Sequence, residues 1–414
     1  MKTVVIGAGA VGLNCALTLA DTGVDVTVID ARGAGGGASR RNAGWVVPSM
    51  SAPVPAPGVL TKTLKWALSS RSPVSFSPTL SPDRIRFLLG LLRNSTSVRH
   101  DAGLQSTLRL SAGTHELFDG LRDRGVDMEI HESGLIQLFT DEDNFRKHCA
   151  DIRTLEGSRE TTALSVEDLE RTLPLAGSKV IGGIDFPDER FLRPDSFVDG
   201  LASAAVASGI RIETDEIDSL ERSAGGTITA ALGNLRWEAD RIVLAAGAWT
   251  GQLTRRLGLG PVPVYAGKGY GFDIPRKDFG LDRALYLSEG KVAVTPFAES
   301  VRVAGTMTFG GIEESVARRR ADGMLSSANR YLDWPQADPS TNTVSPWAGL
   351  RPMTPDGLPI IGEMRADPAV VLATGHAMLG ITLAPVTGAA VAEILTKGRS
   401  PSSVVPFTPS RFRL

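Results

Sequence analysis

The sequence predicts an α/β fold built on a Rossmann-like dinucleotide-binding unit. Three observations carry that prediction. A strand, glycine turn, helix and strand follow one another at residues 3–30, and two later strands, at 241–244 and 370–374, also end in small-residue turns. The 414 residues allow two or three domains with their own cores, at roughly 150 residues each. The 45 glycines mark a chain that needs tight backbone turns.

The first passage reads VVIGAGAVGLNCALTLA from Val4. A β-branched strand at 3–6 runs into Gly7, Gly9 and Gly12 and then into an Ala/Leu-rich helix, and a second strand at 24–29 ends in Asp30, 23 positions after Gly7. Lys2 and the apolar stretch after it look like a secretory leader, but the spaced glycines argue for a folded turn instead. Each glycine has a reason: Gly7 permits the turn, Gly9 lets a pyrophosphate reach the backbone, and Gly12 lets helix and strand pack closely. The helix N-terminus at Ala10 and Val11 offers free amides and a positive dipole end to that pyrophosphate. Asp30 would accept hydrogen bonds from ribose hydroxyls and disfavour a 2′-phosphate. This unit alone does not separate NAD from FAD.

Later segments bear on that choice. After Asp30 the loop ARGAGGGASRRNAGWVVP carries Ser39, Asn42 and Gly44, and it can wrap a long extended ligand. DRIVLAAGAWTGQL runs a strand into Ala245, Ala246, Gly247 and Trp249. VVLATGHAMLGITLAPVTGAAVAEILTKG gives a strand, a turn from Gly375 to Gly380, and a helix to about Lys397 with Pro385 in its first turn, where a missing amide hydrogen costs little.

Together these are marks of the glutathione-reductase-type flavoproteins. The sequence resembles the D-amino-acid oxidase-like superfamily and, more closely, the bacterial D-amino acid dehydrogenase small-subunit family. The resemblance rests on IGAGAVGLNCALTLADTGVDVTVID, RNAGWVVP, APGVLTKTLKWAL, IRFLLGLLRNST, KGYGFDI, WAGLRPMTPDGLPIIG and TGHAMLGITLAP, spanning Val4 to Gly388. It implies a Rossmann-like glutathione-reductase-type FAD domain with an inserted α+β substrate domain built on an antiparallel sheet. It also implies non-covalent FAD, held by the residues named above together with Ala31, Ala43, Gly349, Leu379, Ile381 and Thr382. No cysteine lies near the C-terminal flavin segment, which agrees, and Cys15 inside the first helix reads as a small core residue.

The activity implied is oxidative deamination of a D-amino or D-imino acid. The amine loses a proton, the α-hydride passes to flavin N5, and the imino acid is hydrolysed to a 2-oxo acid, or a cyclic imine results. Catalysis is then mostly positioning. By motif Arg351 would hold the substrate carboxylate, since a planar, permanently charged group can bind both oxygens; an ion pair with Asp356 is the structural alternative. His376 is either a pocket group or a backbone-bonded structural histidine. Tyr286 and Lys291, on the hairpin LYLSEGKVAVTPF, either close the pocket over the substrate or are ordinary surface residues, and Tyr270 has a weaker case. The turn at Met378 to Gly380 would offer a helix N-terminus to negative charge at the flavin N1/C2 edge, and the alternative is a helix that simply packs on the sheet. This chain has GHAMLGIT where the family usually reads closer to GHGTLGWTLA, so Ala377, Met378 and Ile381 leave the side chain open: D-proline and hydroxy-D-proline stand beside D-alanine, glycine and sarcosine. Met378 suggests an apolar wall. A glycine or sarcosine oxidase and a flavin redox sensor without enzymatic activity are the other readings.

The layout predicted is an FAD domain at 1–50, 193–255 and 341–414 and a substrate domain at 51–192 and 256–340, with helices near 83–93, 103–124, 142–155 and 193–208. Residues 51–82, rich in Pro and Ser, read as an extended loop of an active-site lid. A formal charge of −2 gives no sign of a nucleic-acid binder, and Cys15 and Cys149 have no metal-ligand spacing, so a reducing, cytoplasmic setting without metal is expected. The near-neutral total conceals +6 between Val59 and Arg99, which could steer an anionic group or anionic lipid toward the lid. VLTKTLKWAL and DRIRFLLGLLR read either as helices on the inner face of a membrane or as helices packed on the substrate domain. Partners expected are an amino or imino acid, an electron acceptor that is a quinone, a carrier or oxygen, and a second copy of the chain in a homo-oligomer.

Overall fold

The computed structural model describes residues 1–58, 74–76, 81–154, 161–223, 226–276, 280–334 and 345–414. Val4, Val5, Ile6, Val26, Val28 and Ile29 make continuous apolar runs, and these form the central strands of a sheet covered on both faces. The sheet has six strands in the order Arg211–Glu213, Asp25–Ile29, Lys2–Ile6, Arg241–Leu244, Val370–Thr374, Ile360–Glu363. All pairings are parallel except the last. The three glycine-rich strand ends seen in the sequence therefore lie side by side at its C-terminal edge.

Helices Ala10–Asp21, Ala384–Lys397 and Pro194–Ala207 cover one face, burying Leu13, Leu17, Phe197, Leu201 and Val391. Cys15 is fully buried there, and desolvation pushes its thiol up to about 12, so it is an inert core residue. The antiparallel meander Ser219–Arg222, Ile228–Leu232, Leu235–Ala239 covers the other face with Ile228, Ala230 and Ala239.

The second layer is a nine-stranded mixed sheet. Its axis is the long strand Tyr265–Pro275, paired antiparallel with Ser300–Phe309 on one side and Trp347–Met353 on the other. The hairpin Ala284–Leu287 with Val292–Pro296 continues it, and Ala284–Leu287 runs parallel to Leu135–Phe139. Helix Arg318–Ala328 seals the outer face through Met324 and Leu325, beside Tyr331 and Trp334.

Three local features depart from the sequence reading. The helix expected at 103–124 is two helices, Ser97–Ser111 and Thr114–Asp123, because the chain turns at Ala112 and Gly113 and the buried Thr114 hydroxyl donates to the Thr382 carbonyl. Leu110 and Phe118, assigned from sequence to the substrate side, join the core around the first helix. Trp347–Met353, grouped by sequence with the FAD domain, hydrogen-bonds into the large sheet. Periodicity finds such an edge strand but not the sheet it joins.

Helix Pro82–Asn94 buries Phe87 and Leu91 and leaves Ile85, Leu89 and Leu92 about half exposed. The other segment considered for membrane contact, 59–68, lies outside the described residues. No helix among the described residues is long and apolar enough to cross a membrane.

Candidate active site

A cavity of about 1060 Å³ lies between the C-terminal edge of the parallel sheet and one face of the large sheet, at the upper end of the size range for small-molecule sites. Gly7, Gly9, Ala10 and Val11 line one end. Gly7 has φ +117°, open to glycine, and a Cβ there would strike the Ala245 carbonyl; a Cβ on Gly12 would overlap the Gly7 carbonyl oxygen. The Ser39 hydroxyl accepts from the Ala10 amide at 3.0 Å. Asp30 accepts from the Ala8 amide at 2.7 Å and the Arg32 amide at 2.8 Å. These bonds orient the carboxylate and leave each oxygen a further lone pair. Arg32 lies 4.3 Å over the Trp249 ring and pairs with Glu314 at 2.9 Å.

The loop after Asp30 is held from both layers. Asn42 accepts from the Gly44 amide at 2.7 Å and donates to the Ala38 and Ser39 carbonyls. From the large sheet, buried Arg302, paired with Asp273, donates to the Arg40 and Asn42 carbonyls at 3.2 and 3.0 Å. Trp45 Nε1 donates to Thr295 Oγ1, which donates to the Ala43 carbonyl, each at 2.9 Å. Thr382 donates to the Trp45 carbonyl and accepts from the Val47 amide.

Arg351 lines the other end, partly buried on strand Trp347–Met353, its Nη1 donating to the Thr306 carbonyl at 2.9 Å. A Cβ on Gly269 would collide with the guanidinium, so glycine there makes room for the side chain to lie across the sheet. Among the described residues no carboxylate pairs with Arg351; Asp356 instead accepts from Arg411 at 2.7 Å. The ion-pair alternative is therefore taken by another arginine. Desolvation pulls Arg351 down to about 10, with nearby Tyr286 opposing the shift. A largely desolvated guanidinium without an anion is costly, and a bound carboxylate would recover that cost.

Lys291, Thr306 and Ala377 also line this cavity, and they are three of the four non-glycine residues with left-handed φ among the described residues, at 52°, 56° and 50°. Backbone strain of roughly 1–3 kcal/mol per residue gathers at this site. It places the Thr306 carbonyl against Arg351. Tyr286 packs edge-on against Trp45 with ring centroids 5.6 Å apart, and Lys291 Nζ lies 5.6 Å from the Tyr286 ring.

The turn after Val370–Thr374 closes the third side. Among the described residues, the Gly380, Ile381 and Thr382 amides donate no hydrogen bond, whereas Leu379 and Leu383 donate within the turn. They stand at the start of Ala384–Lys397, and Gly380 and Ile381, which line the cavity, extend its positive end there. Met378 is 55 % exposed at the mouth. His376 lines the cavity, and its Nε2 lies 2.9 Å from the Thr387 side-chain hydroxyl rather than from a backbone group. Burial lowers His376 to about 3, so the ring is neutral at physiological pH. Unfolded, it would take up a proton near its ordinary value of 6.5. The stability it contributes is present above that value and is lost as pH falls toward 3. Replacing His376 with Asn is expected to flatten the acid limb of the Tm-versus-pH curve; an unchanged limb would refute this.

Of the sequence-predicted residues, Gly7, Gly9, Ala10, Val11, Asp30, Ala31, Ser39, Asn42, Ala43, Gly44, Ala245, Ala246, Gly247, Trp249, Leu379, Gly380 and Ile381 line the cavity, as do Arg351, Tyr286, Lys291, His376 and Met378. Gly12, Gly349, Gly375 and Thr382 do not line it; they stand behind the wall and let its parts pack or hold them in place. Sequence reasoning missed Arg32, Arg41, Thr306 and the trio Asn144, Lys147 and His148. The trio has helical spacing, which in sequence cannot be told from a wet helix face.

Residues 2–394 match the family of FAD dependent oxidoreductases designated DAO. The chain belongs to this family. It is 31% identical over 97% of its length, and 97% of the relative's, to a protein from Chromohalobacter salexigens named D-amino acid dehydrogenase. In fold it is similar to glycine oxidase from Geobacillus kaustophilus, with a TM-score of 0.76, 22% identity and 98% of both chains covered. It is also similar to L-proline dehydrogenase from P. horikoshii, with a TM-score of 0.74, 19% identity and coverage of 99% of this chain and 97% of that one. The cofactor of this FAD-dependent oxidoreductase is FAD, and the residues present fit it: a glycine turn with no room for Cβ, an oriented carboxylate at the second strand end, and undonated amides at a helix start.

Proposed function

We propose that this FAD-dependent oxidoreductase deaminates a D-amino or D-imino acid by hydride transfer from Cα, giving an imino acid that hydrolyses to a 2-oxo acid, or a cyclic imine. The observation that carries this reading is Arg351, a partly buried guanidinium without a carboxylate partner among the described residues, in the same cavity as the glycine turn. The resemblance in sequence to a D-amino acid dehydrogenase supports the D configuration. FAD, when bound, supplies the hydride acceptor at N5.

The chain's own groups then position and exclude. Arg351 binds both oxygens of the substrate carboxylate, and the Thr306 carbonyl fixes the plane of the guanidinium. The carboxylate sets the direction of Cα–H. Trp45, Tyr286, Phe76 and Phe309 line the surrounding walls and keep water from the reacting carbon. The Gly380 and Ile381 amides and the helix dipole behind them hold negative charge that builds at this side of the cavity. We assign Gly7, Gly9, Ala10, Val11 and Asp30 to the ADP portion of the cofactor.

Anaerobic mixing with D- and L-amino acids, D-proline, hydroxy-D-proline, glycine and sarcosine tests the proposal by loss of visible flavin absorbance. Bleaching by D-amino or D-imino acids alone is expected. Bleaching by glycine or sarcosine alone would replace the reading with a glycine-type oxidase, and none at all would leave a redox sensor. Reoxidation of the bleached enzyme by air, compared with a quinone, identifies the class of electron acceptor.

A further inference from the structure

Beyond Arg351, the same end of the cavity carries two more cations that the reaction as described leaves unused. Helix Glu142–Thr154 presents Asn144, Lys147 and His148 at spacings of three and four residues, and all three line the cavity. The helix is fastened in that orientation. Asn144 Nδ2 donates to Glu289 Oε1 at 2.6 Å and to the Ser288 hydroxyl at 3.1 Å, which ties it to the turn that carries Lys291. His148 is oriented as well: its Nδ1 lies 2.9 Å from the Asn144 carbonyl, which can only accept, and its ring packs on Phe139. Lys291, with its left-handed backbone, stands over Tyr286, the side chain that also neighbours Arg351.

Among the described residues no carboxylate forms an ion pair with Lys147 or Lys291. The carboxylates that line the cavity are Asp30, Asp215 and Glu216, and Asp30 and Glu216 are engaged at the nucleotide end with Ala8, Arg32 and Arg256. Glu289, the acid nearest to Lys291 in sequence, accepts from Thr140, Asn144 and Tyr331 and does not line the cavity. Asp151, one turn beyond His148, does not line it either. Among the described residues neither Lys147 nor Lys291 has an ion-pair partner. An amino acid with a neutral side chain would neutralise Arg351 through its α-carboxylate while its ammonium met two like charges.

We propose that the preferred substrate is an acidic D-amino acid, whose side-chain carboxylate is held at the mouth of the cavity by Lys147 and Lys291. This rests on the reading of the site as an amino acid dehydrogenase with Arg351 on the α-carboxylate. With its Nδ1–H given to the Asn144 carbonyl, the neutral His148 ring can only accept at Nε2, so it donates to the same carboxylate only when protonated. The subsite discriminates by charge rather than size, so the isosteric amide is the informative control.

The test is anaerobic titration of the holoenzyme with D-glutamate against D-glutamine, D-aspartate against D-asparagine, and D-alanine as a reference. The acid is expected to half-reduce the flavin at a concentration at least about fivefold below that of its amide, and added salt should narrow the gap. In the Lys147→Gln, Lys291→Gln double variant the ratio should collapse to about one. Both lysines are exposed, so the change is not expected to disturb the core. Equal response to acid and amide in the wild type, or a ratio that survives in the double variant, overturns the proposal. Bleaching by D-alanine but not by the acids overturns it while leaving the dehydrogenase reading intact. No bleaching by any D-amino acid removes both.

Discussion

Replacing Arg351 with Ala is expected to raise the amino acid concentration for half-reduction by about a hundredfold or more, with FAD content unchanged. Removing one partner of a desolvated, doubly hydrogen-bonded charge pair typically costs about 2–5 kcal/mol, and that sets the scale. Arg351→Lys should recover only part of the loss, because an ammonium cannot match the two oxygens with a planar fork. The Ala change also leaves the Thr306 carbonyl without its donor, so Tm should be recorded beside affinity. If half-reduction stays where it was while Tm falls, Arg351 is structural and the carboxylate role is wrong.

The second large effect is expected from Gly12→Ala. A Cβ at Gly12 would occupy the same space as the Gly7 carbonyl oxygen, and Gly7, at φ +117° against the Ala245 carbonyl, has nowhere to go. A clash between two backbone segments is not relieved by turning a side chain. Destabilisation should exceed about 3 kcal/mol, the usual upper range for overpacking, and the purified protein should be colourless. Gly23→Ala is the control: it also has positive φ, +80°, but nothing lies within 4 Å, so about 1 kcal/mol and a yellow protein are expected. Visible absorbance and thermal unfolding of the two variants decide the matter. A yellow Gly12→Ala protein of normal Tm would show that the turn tolerates more than its geometry allows.

Much of the nucleotide end was legible because its chemistry is local. Gly7, Gly9, Gly12 and Asp30 lie within one βαβ unit, so their spacing alone states what the backbone must do. Arg351 was legible only through its motif, and its role stood against an ion pair with Asp356. That question turned on Arg411, which is 55 positions from Asp356 and takes up its carboxylate. Thr306 carries no signal in the sequence, since a left-handed threonine on a strand is set by its neighbours. The trio at 144, 147 and 148 reads as a wet helix face until Asn144 is seen bonded to the turn before Lys291.

By itself, then, the sequence determined the fold class, the glycine turn at the strand end and the expectation of a carboxylate-binding arginine. Each depends on glycine spacing, burial periodicity or a contiguous motif, all of which act within a few residues. The tertiary structure alone decided which sheet Trp347–Met353 joins, whether Arg351 stays unpaired, and which end of the cavity holds cations without acids. Those outcomes depend on contacts between segments tens to more than a hundred residues apart. Such contacts are set by packing and charge compensation in three dimensions, to which local propensity is blind.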